Sequence, residues 1–142
     1  MRKKKVWRYY CEFCKKSGCS CYHLRRHEER CTKNPNRLCG MCKMRELPQP
    51  ELKDLMAILP DPEKYKSLPD EFDSVSYIGL EEAVSKVYNK LFNEAEGCPA
   101  CIMAALRQKG IPVPMVEEFN FTEECKSIWA DINAANRDTE GY

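Results

Sequence analysis

The sequence predicts a small α-rich protein stabilised by bound metal, with an N-terminal ββα unit followed by a helical domain. Three observations carry that reading. Ten cysteines occur in 142 residues, six of them in three C-x2-C pairs. One of those pairs is followed at fixed spacing by a histidine and a further cysteine. From residue 50 onward, apolar residues recur at helical spacing between proline and glycine stops.

The N-terminal unit comes first. Cys11, Cys14, His27 and Cys31 are spaced C-x2-C-x12-H-x3-C. A tetrahedral Zn²⁺ takes four thiolate or imidazole ligands. The two cysteines belong on a tight hairpin, and His27 and Cys31, four apart, share one helix face. Tyr9 takes the aromatic position on the first strand and Leu24 the apolar position on the helix. The second aromatic position is Gly18, so Phe13 or Tyr22 is expected to fill that space.

On these residues, 9–31 resembles the C2H2/C2HC zinc-finger family, over about a sixth of the chain. The resemblance implies a zinc site and a helix that reads bases. Carried over from the family's docking geometry, Ser20, His23 and Arg26 fall at base-reading positions. Arg25, Arg30, Lys15 and Lys16 then meet phosphates. His23 also reads as an exposed helix residue with no role. The run from Cys31 to Cys39 further resembles small phage or bacterial zinc-finger proteins, which implies no activity.

Two C-x2-C pairs remain, Cys39–Cys42 and Cys98–Cys101, each with Gly or Pro after its first cysteine. The preferred pairing places all four on a second zinc, closing a 55-residue segment; loop length adds little to that closure cost. One rival groups Cys11, Cys14, Cys39 and Cys42, leaving His23, His27, Cys31 and Cys19 or Cys21 for another metal. A second rival is a thiol–disulfide oxidoreductase at Cys98 and Cys101, since a cysteine at a helix N-terminus is nucleophilic. Cys19 and Cys21 are spare thiols or competitors for the metal. Cys125 reads as a small buried apolar residue.

The expected organisation is a basic arm over 1–8, the finger over 9–31, a turn-rich connector over 32–38 and an acidic helical domain over 39–142, with knuckles at 39–42 and 98–101. In that domain Pro50 opens a helix through Leu59, and 62–68 reads as a short one. Residues 69–76 read as acidic loop. Leu80–Glu96 is the strongest helix, stopped by Gly97. Pro99 opens the next, which runs to Gly110. Residues 111–115 read as extended, because two prolines oppose helix. Thr122 caps a last helix through about 135 that buries Ile128, Trp129 and Ile132.

The net charge of +1 conceals two opposed blocks. Residues 1–45 hold 14 Lys and Arg against 3 Asp and Glu, a balance of +11; the remainder holds 9 against 19, a balance of −10. Trp7, Tyr9, Tyr10, Phe13 and Tyr22 lie among the cations. Such a block fits a polyanion, with cations on phosphates and aromatics on bases. The other reading is that the two blocks face each other within the molecule or across a dimer. The Arg2-Lys3-Lys4-Lys5 arm is either an extension of the basic surface or a solvated terminus.

Catalytic patterns are thin. There is no Gly-rich phosphate loop, no serine nucleophile motif, no H-E-x-x-H, and both histidines lie in the finger. The expectation is a non-enzymatic, zinc- and nucleic-acid-binding protein for transcription regulation or an accessory role, with DNA favoured over RNA. Its acidic half would dimerise or hold a protein partner. A protein–protein adaptor using the finger is the alternative. No apolar run long enough for a signal peptide or membrane span occurs, so an intracellular, reducing compartment is expected.

Overall fold

Hairpin and helix signals crowd the first thirty residues; after residue 38 the described regular elements are helical, apart from one isolated antiparallel bridge between Lys66 and Tyr77. The computed structural model describes residues 1–72 and 74–139; Asp73, in the segment read from sequence as acidic loop, and residues 140–142 lie outside it. Among the described residues are two short strands, six α-helices and two 3-10 turns.

Strand β1 (Tyr9–Tyr10) pairs antiparallel with β2 (Ser17–Gly18), Tyr9 opposite Gly18 and Tyr10 opposite Ser17. Helix α1 (Cys21–Arg30) follows at once. The Ser20 hydroxyl accepts from the His23 N–H at 3.3 Å, satisfying one of the free donors of the first turn. The buried residues of this unit are Cys11, Leu24 and Cys31, with Cys14 packed beside them. Neither Phe13 (37% exposed) nor Tyr22 (67%) fills the space beside Gly18. The space beside Gly18 is left open: a Cβ added there would meet no atom within 4 Å. With strands of two residues each, the sheet is too small to enclose an aromatic ring.

The connector is tied down at both sides. The Asn34 side-chain amide donates to Glu28 O at 2.8 Å and the Leu38 N–H to Glu29 O at 2.8 Å. The Gln108 amide donates to both Thr32 O and Asn34 O at 2.9 Å. These bonds seat the end of α1 on the helical domain.

That domain contains α2 (Gly40–Met44), α3 (Leu52–Ile58), α4 (Leu80–Glu94), α5 (Pro99–Lys109) and α6 (Phe121–Thr139). Helix α3 packs on both α4 and α5, and α6 packs on α5. Helix α5 is the centre: Cys101, Ile102, Ala104, Ala105 and Leu106 are all buried. Leu55, Leu59, Leu80, Val84 and Leu91 close the core around it. Gly110 ends α5 in the left-handed region, φ +85°.

Several details depart from the sequence reading, including the ends of α4 at Glu94 and α6 at Thr139. Helix α3 starts at Leu52 rather than Pro50, because Glu51 is extended. Residues Pro62–Tyr65 form a 3-10 turn capped by Asp61, shorter than the expected helix. Val113–Met115 is also a 3-10 turn rather than extended chain; a proline in a first turn needs no N–H and already has a suitable φ. Helix α6 starts at Phe121, and its cap is Asn120, whose Oδ1 accepts from Glu123 N at 3.1 Å, not Thr122. Because α6 rests mainly on α5, its buried face is narrow. Ile128 is buried, Ile132 and Cys125 are half-buried, and Trp129 is exposed.

Candidate metal centres

Two groups of side chains bring four ligand atoms together, each set lying within 4.8 Å of one another: Cys11, Cys14, His27 and Cys31, and Cys39, Cys42, Cys98 and Cys101. Cys11 and Cys14 do not meet Cys39 and Cys42 in either group. Each group is of tetrahedral type and could hold a zinc ion, so the chain has room for two.

In the first centre the hairpin turn presents the two thiols. Cys11 N donates to Lys16 O at 2.9 Å, closing the turn. Phe13 N then points at Cys11 Sγ and Lys16 N at Cys14 Sγ, both at 3.4 Å. These amide donors favour thiolates over thiols. Burial works against the Cys14 thiolate, but the Lys16 amide and its neighbours Cys11 and Cys31 hold its pKa below the ordinary thiol value. Burial raises that of Cys31. Helix α1 supplies His27, whose Nε2 lies 3.2 Å from Cys14 Sγ. Burial, then the charge of Lys16, lowers the His27 pKa and favours the neutral ring a metal requires. Glu12 N donates to Glu28 Oε1 at 3.0 Å, bracing the hairpin against the helix.

In the second centre two helix starts converge. Cys39 is the N-cap of α2 and Cys98 that of α5, with Pro99 at the first helical position. Cys42 and Cys101 follow three residues later on each helix. Cys39 Sγ lies 3.5 Å from Cys98 Sγ, and Cys42 Sγ lies 3.6 Å from Cys101 Sγ. A zinc–thiolate tetrahedron with bonds of about 2.3 Å has sulfur–sulfur edges of about 3.8 Å, so the four sulfurs need little adjustment. All four residues are buried, none above 4% exposure.

Four thiolates cannot share such a space without a cation. Hydrogen bonds from Cys101 and Cys98 hold Cys39 well below the ordinary thiol range. Burial, with the charges of Cys98 and Cys39, pushes Cys42 up to about 12. Cys101 is raised far above the ordinary range, first by its hydrogen bond to Cys39. A divalent ion is what allows all four buried thiols to ionise together.

The turn that delivers Cys98 is sharp. Glu96 and Gly97 both have positive φ, +51° and +69°. Gly97 N bonds back to Phe92 O at 2.9 Å and Cys98 N to Ala95 O at 3.0 Å.

The surface residues assigned from the finger resemblance sit as follows. His23, Arg25, Arg26 and Arg30 are exposed on α1, and Lys15 and Lys16 are exposed on the hairpin. Ser20 is half-buried and uses its hydroxyl as the helix cap. Cys19 and Cys21 are exposed and join neither centre.

The sequence reading missed the residues around the second centre. Arg37 is buried, donating from Nη1 to Cys101 Sγ at 3.9 Å and from Nε to Arg30 O at 3.4 Å. Gln49 accepts from Cys39 N at 2.6 Å and donates to Arg37 O at 2.8 Å. Neither belongs to a periodic pattern; a cation two residues before a knuckle cysteine was the one available signal. Comparison of the chain with protein-family models, curated proteins and solved structures gives no match.

Proposed function

We propose that the protein is a zinc-binding, nucleic-acid-binding regulatory or accessory factor. On this reading residues 9–31 form a C2HC zinc finger on Cys11, Cys14, His27 and Cys31. Cys39, Cys42, Cys98 and Cys101 hold a second zinc that closes the helical domain. Their soft thiolate donors and complete tetrahedral sets suit structural zinc, with no position left for substrate.

One observation carries the nucleic-acid part. No Lys or Arg of residues 1–45 forms an ion pair among the described residues; the ion pairs found there all lie within the acidic half. The basic block is thus left available to an external polyanion rather than spent on the acidic one. Its aromatics are exposed too: Trp7, Tyr10 and Tyr22 stand among the cations as surfaces on which bases can stack. A groove of about 520 Å³ beside the first centre adds Lys15, Lys33 and Arg107 along the junction with α5. In the acidic half, exposed Leu68, Phe72 and Ile78 favour a dimer or protein-partner role.

Burial weighs against thiol exchange at Cys98 and Cys101, which lie under the core beside two further thiols. No described helix is long and apolar enough to cross a membrane.

The test is binding of the zinc-loaded chain to a random-sequence DNA duplex at low and at physiological salt. Phosphate contacts from Arg25, Arg30, Lys15 and Lys16 would give a log–log salt slope of about −3 to −4. Absence of binding at low salt would overturn the reading and leave the adaptor, for which an acidic protein surface is the fitting target.

A further inference from the structure

Arg37 is the one buried charged side chain among the described residues, at 6% exposure. A buried guanidinium is costly unless something nearby carries opposite charge. No carboxylate forms an ion pair with it among the described residues. Its partners are the Arg30 carbonyl, at the negative end of α1, and Cys101 Sγ. The Arg37 main chain is fixed by Gln49, the residue that also holds the Cys39 amide. The guanidinium is therefore placed by the fold against the four-cysteine group and against nothing else of full negative charge.

We propose that Arg37 is the built-in counter-cation of the metal-loaded Cys39/Cys42/Cys98/Cys101 centre. A divalent ion with four thiolates carries a net charge of about −2, buried here beneath the helical core. The Arg37 N–H donor stabilises that charge at Cys101, where a neutral group of equal size would not. Cation and centre need each other: the loaded centre offers the buried Arg37 guanidinium a full tetrathiolate at hydrogen-bonding reach of Cys101. Arg37 is a positioning and charge-balancing residue, not a ligand.

This inference rests on the zinc reading of the second centre, and the experiment separates the two. Co²⁺ alone serves as probe, since its absorption bands distinguish four-sulfur from three-sulfur, one-nitrogen coordination. Chelator competition then gives the affinity of each centre in wild type, Arg37→Met and Arg37→Lys. The expected result is a 10–100-fold weaker four-sulfur centre in Arg37→Met, with Arg37→Lys recovering most of the loss because it keeps the charge. Equal loss in Met and Lys variants would reduce Arg37 to packing and overturn the proposal. So would a Met variant identical to wild type. A wild-type chain showing no four-sulfur signal would instead defeat the zinc reading itself.

Should Arg37→Met not fold, the unmodified chain decides. Loaded with ¹¹³Cd²⁺ and labelled with ¹⁵N-arginine, it should show an Arg37 side-chain N–H protected from exchange and coupled to the metal. An Arg37 N–H that exchanges freely and shows no such coupling overturns the proposal.

Discussion

The two candidate centres have the same number of ligands and opposite relations to the rest of the fold. The first, of three cysteines and a histidine, is nearly all the interior its unit possesses, because Leu24 is the sole buried residue there that is not a candidate ligand. The second, of four cysteines, is part of a core that also contains Leu55, Leu80, Val84, Leu91, Ile102 and Leu106. One unit is built around its candidate metal site; the other has a core of its own beside such a site. Small units cannot bury enough apolar surface to offset chain entropy and need such staples.

Metal removal should expose that difference most strongly. Structural zinc supplies about 10–16 kcal/mol in finger-sized peptides, more than the hairpin–helix unit can replace. With a strong chelator, amides of residues 9–31 should lose protection from hydrogen exchange. Those of α4 and α5 should retain part of theirs. Simultaneous collapse of both regions would show that the connector bonds from Gln108 to Thr32 and Asn34 make one cooperative unit.

Equivalent leucine truncations should read out differently in the two regions. Leu106→Ala removes a fully buried side chain from α5 and should cost about 2–5 kcal/mol, seen as a lower Tm with or without metal. Leu24→Ala should cost about 2 kcal/mol, but as a roughly thirtyfold loss of zinc affinity at the first centre. Without metal it should change little, since there is no folded unit left to destabilise. A metal-free chain in which Leu24→Ala still lowers protection over α1 would contradict the comparison.

The centres should also respond unequally to pH. In the metal-free second centre Cys42, pushed up to about 12, and Cys101, raised further, both hold protons at neutral pH. The loaded state binds fewer protons than the empty one, so affinity rises with pH and is lost on acidification. Two released protons give about two decades of affinity per pH unit near pH 7. At the first centre burial already keeps His27 neutral and the Lys16 amide favours the Cys14 thiolate, so of the groups shifted there only Cys31, raised by burial, is pushed toward its protonated form. Its slope should be shallower. Zinc titrations at several pH values measure both, and a steeper slope at the first centre would reverse the assignment.

What the sequence disclosed follows the range of the interactions. Spacing along one turn or one helix is local, so the grouping of His27 with Cys31, the apolar stripe of α4 and the stop at Gly110 were legible, whereas α4 ends at Glu94, two residues short of the expected Glu96, which itself takes a left-handed turn before Gly97. Joining Cys39–Cys42 to Cys98–Cys101 across a long segment came from chemistry alone, through the need of two thiol pairs for one tetrahedron. Arg37 and Gln49 were not legible, because their partners at Cys101 and Cys39 depend on how α2 meets α5. Trp129 was misread because periodicity marks an apolar face without saying how much of it a neighbour covers. Thr122 lost the α6 cap to Asn120 by two residues, a distance at which either side chain suits the role.

The smallest effects come from two glycines, one in each region. Gly97 lies in the left-handed region, and an added Cβ would come within 3.1 Å of the Phe92 ring. Gly97→Ala should therefore cost about 1–2 kcal/mol through backbone strain, plus whatever shift Phe92 requires. Because this turn delivers Cys98, part of that cost should appear as weaker metal binding at the second centre. Gly18 has open space around it. Gly18→Ala should change stability by no more than about 0.5 kcal/mol, and restricting the unfolded chain pushes the sign toward stabilisation. Thermal unfolding of the two variants beside wild type measures the contrast. Equal losses would mean that the hairpin is packed more tightly than its open surface implies, and that its fold depends on more than the metal and Leu24.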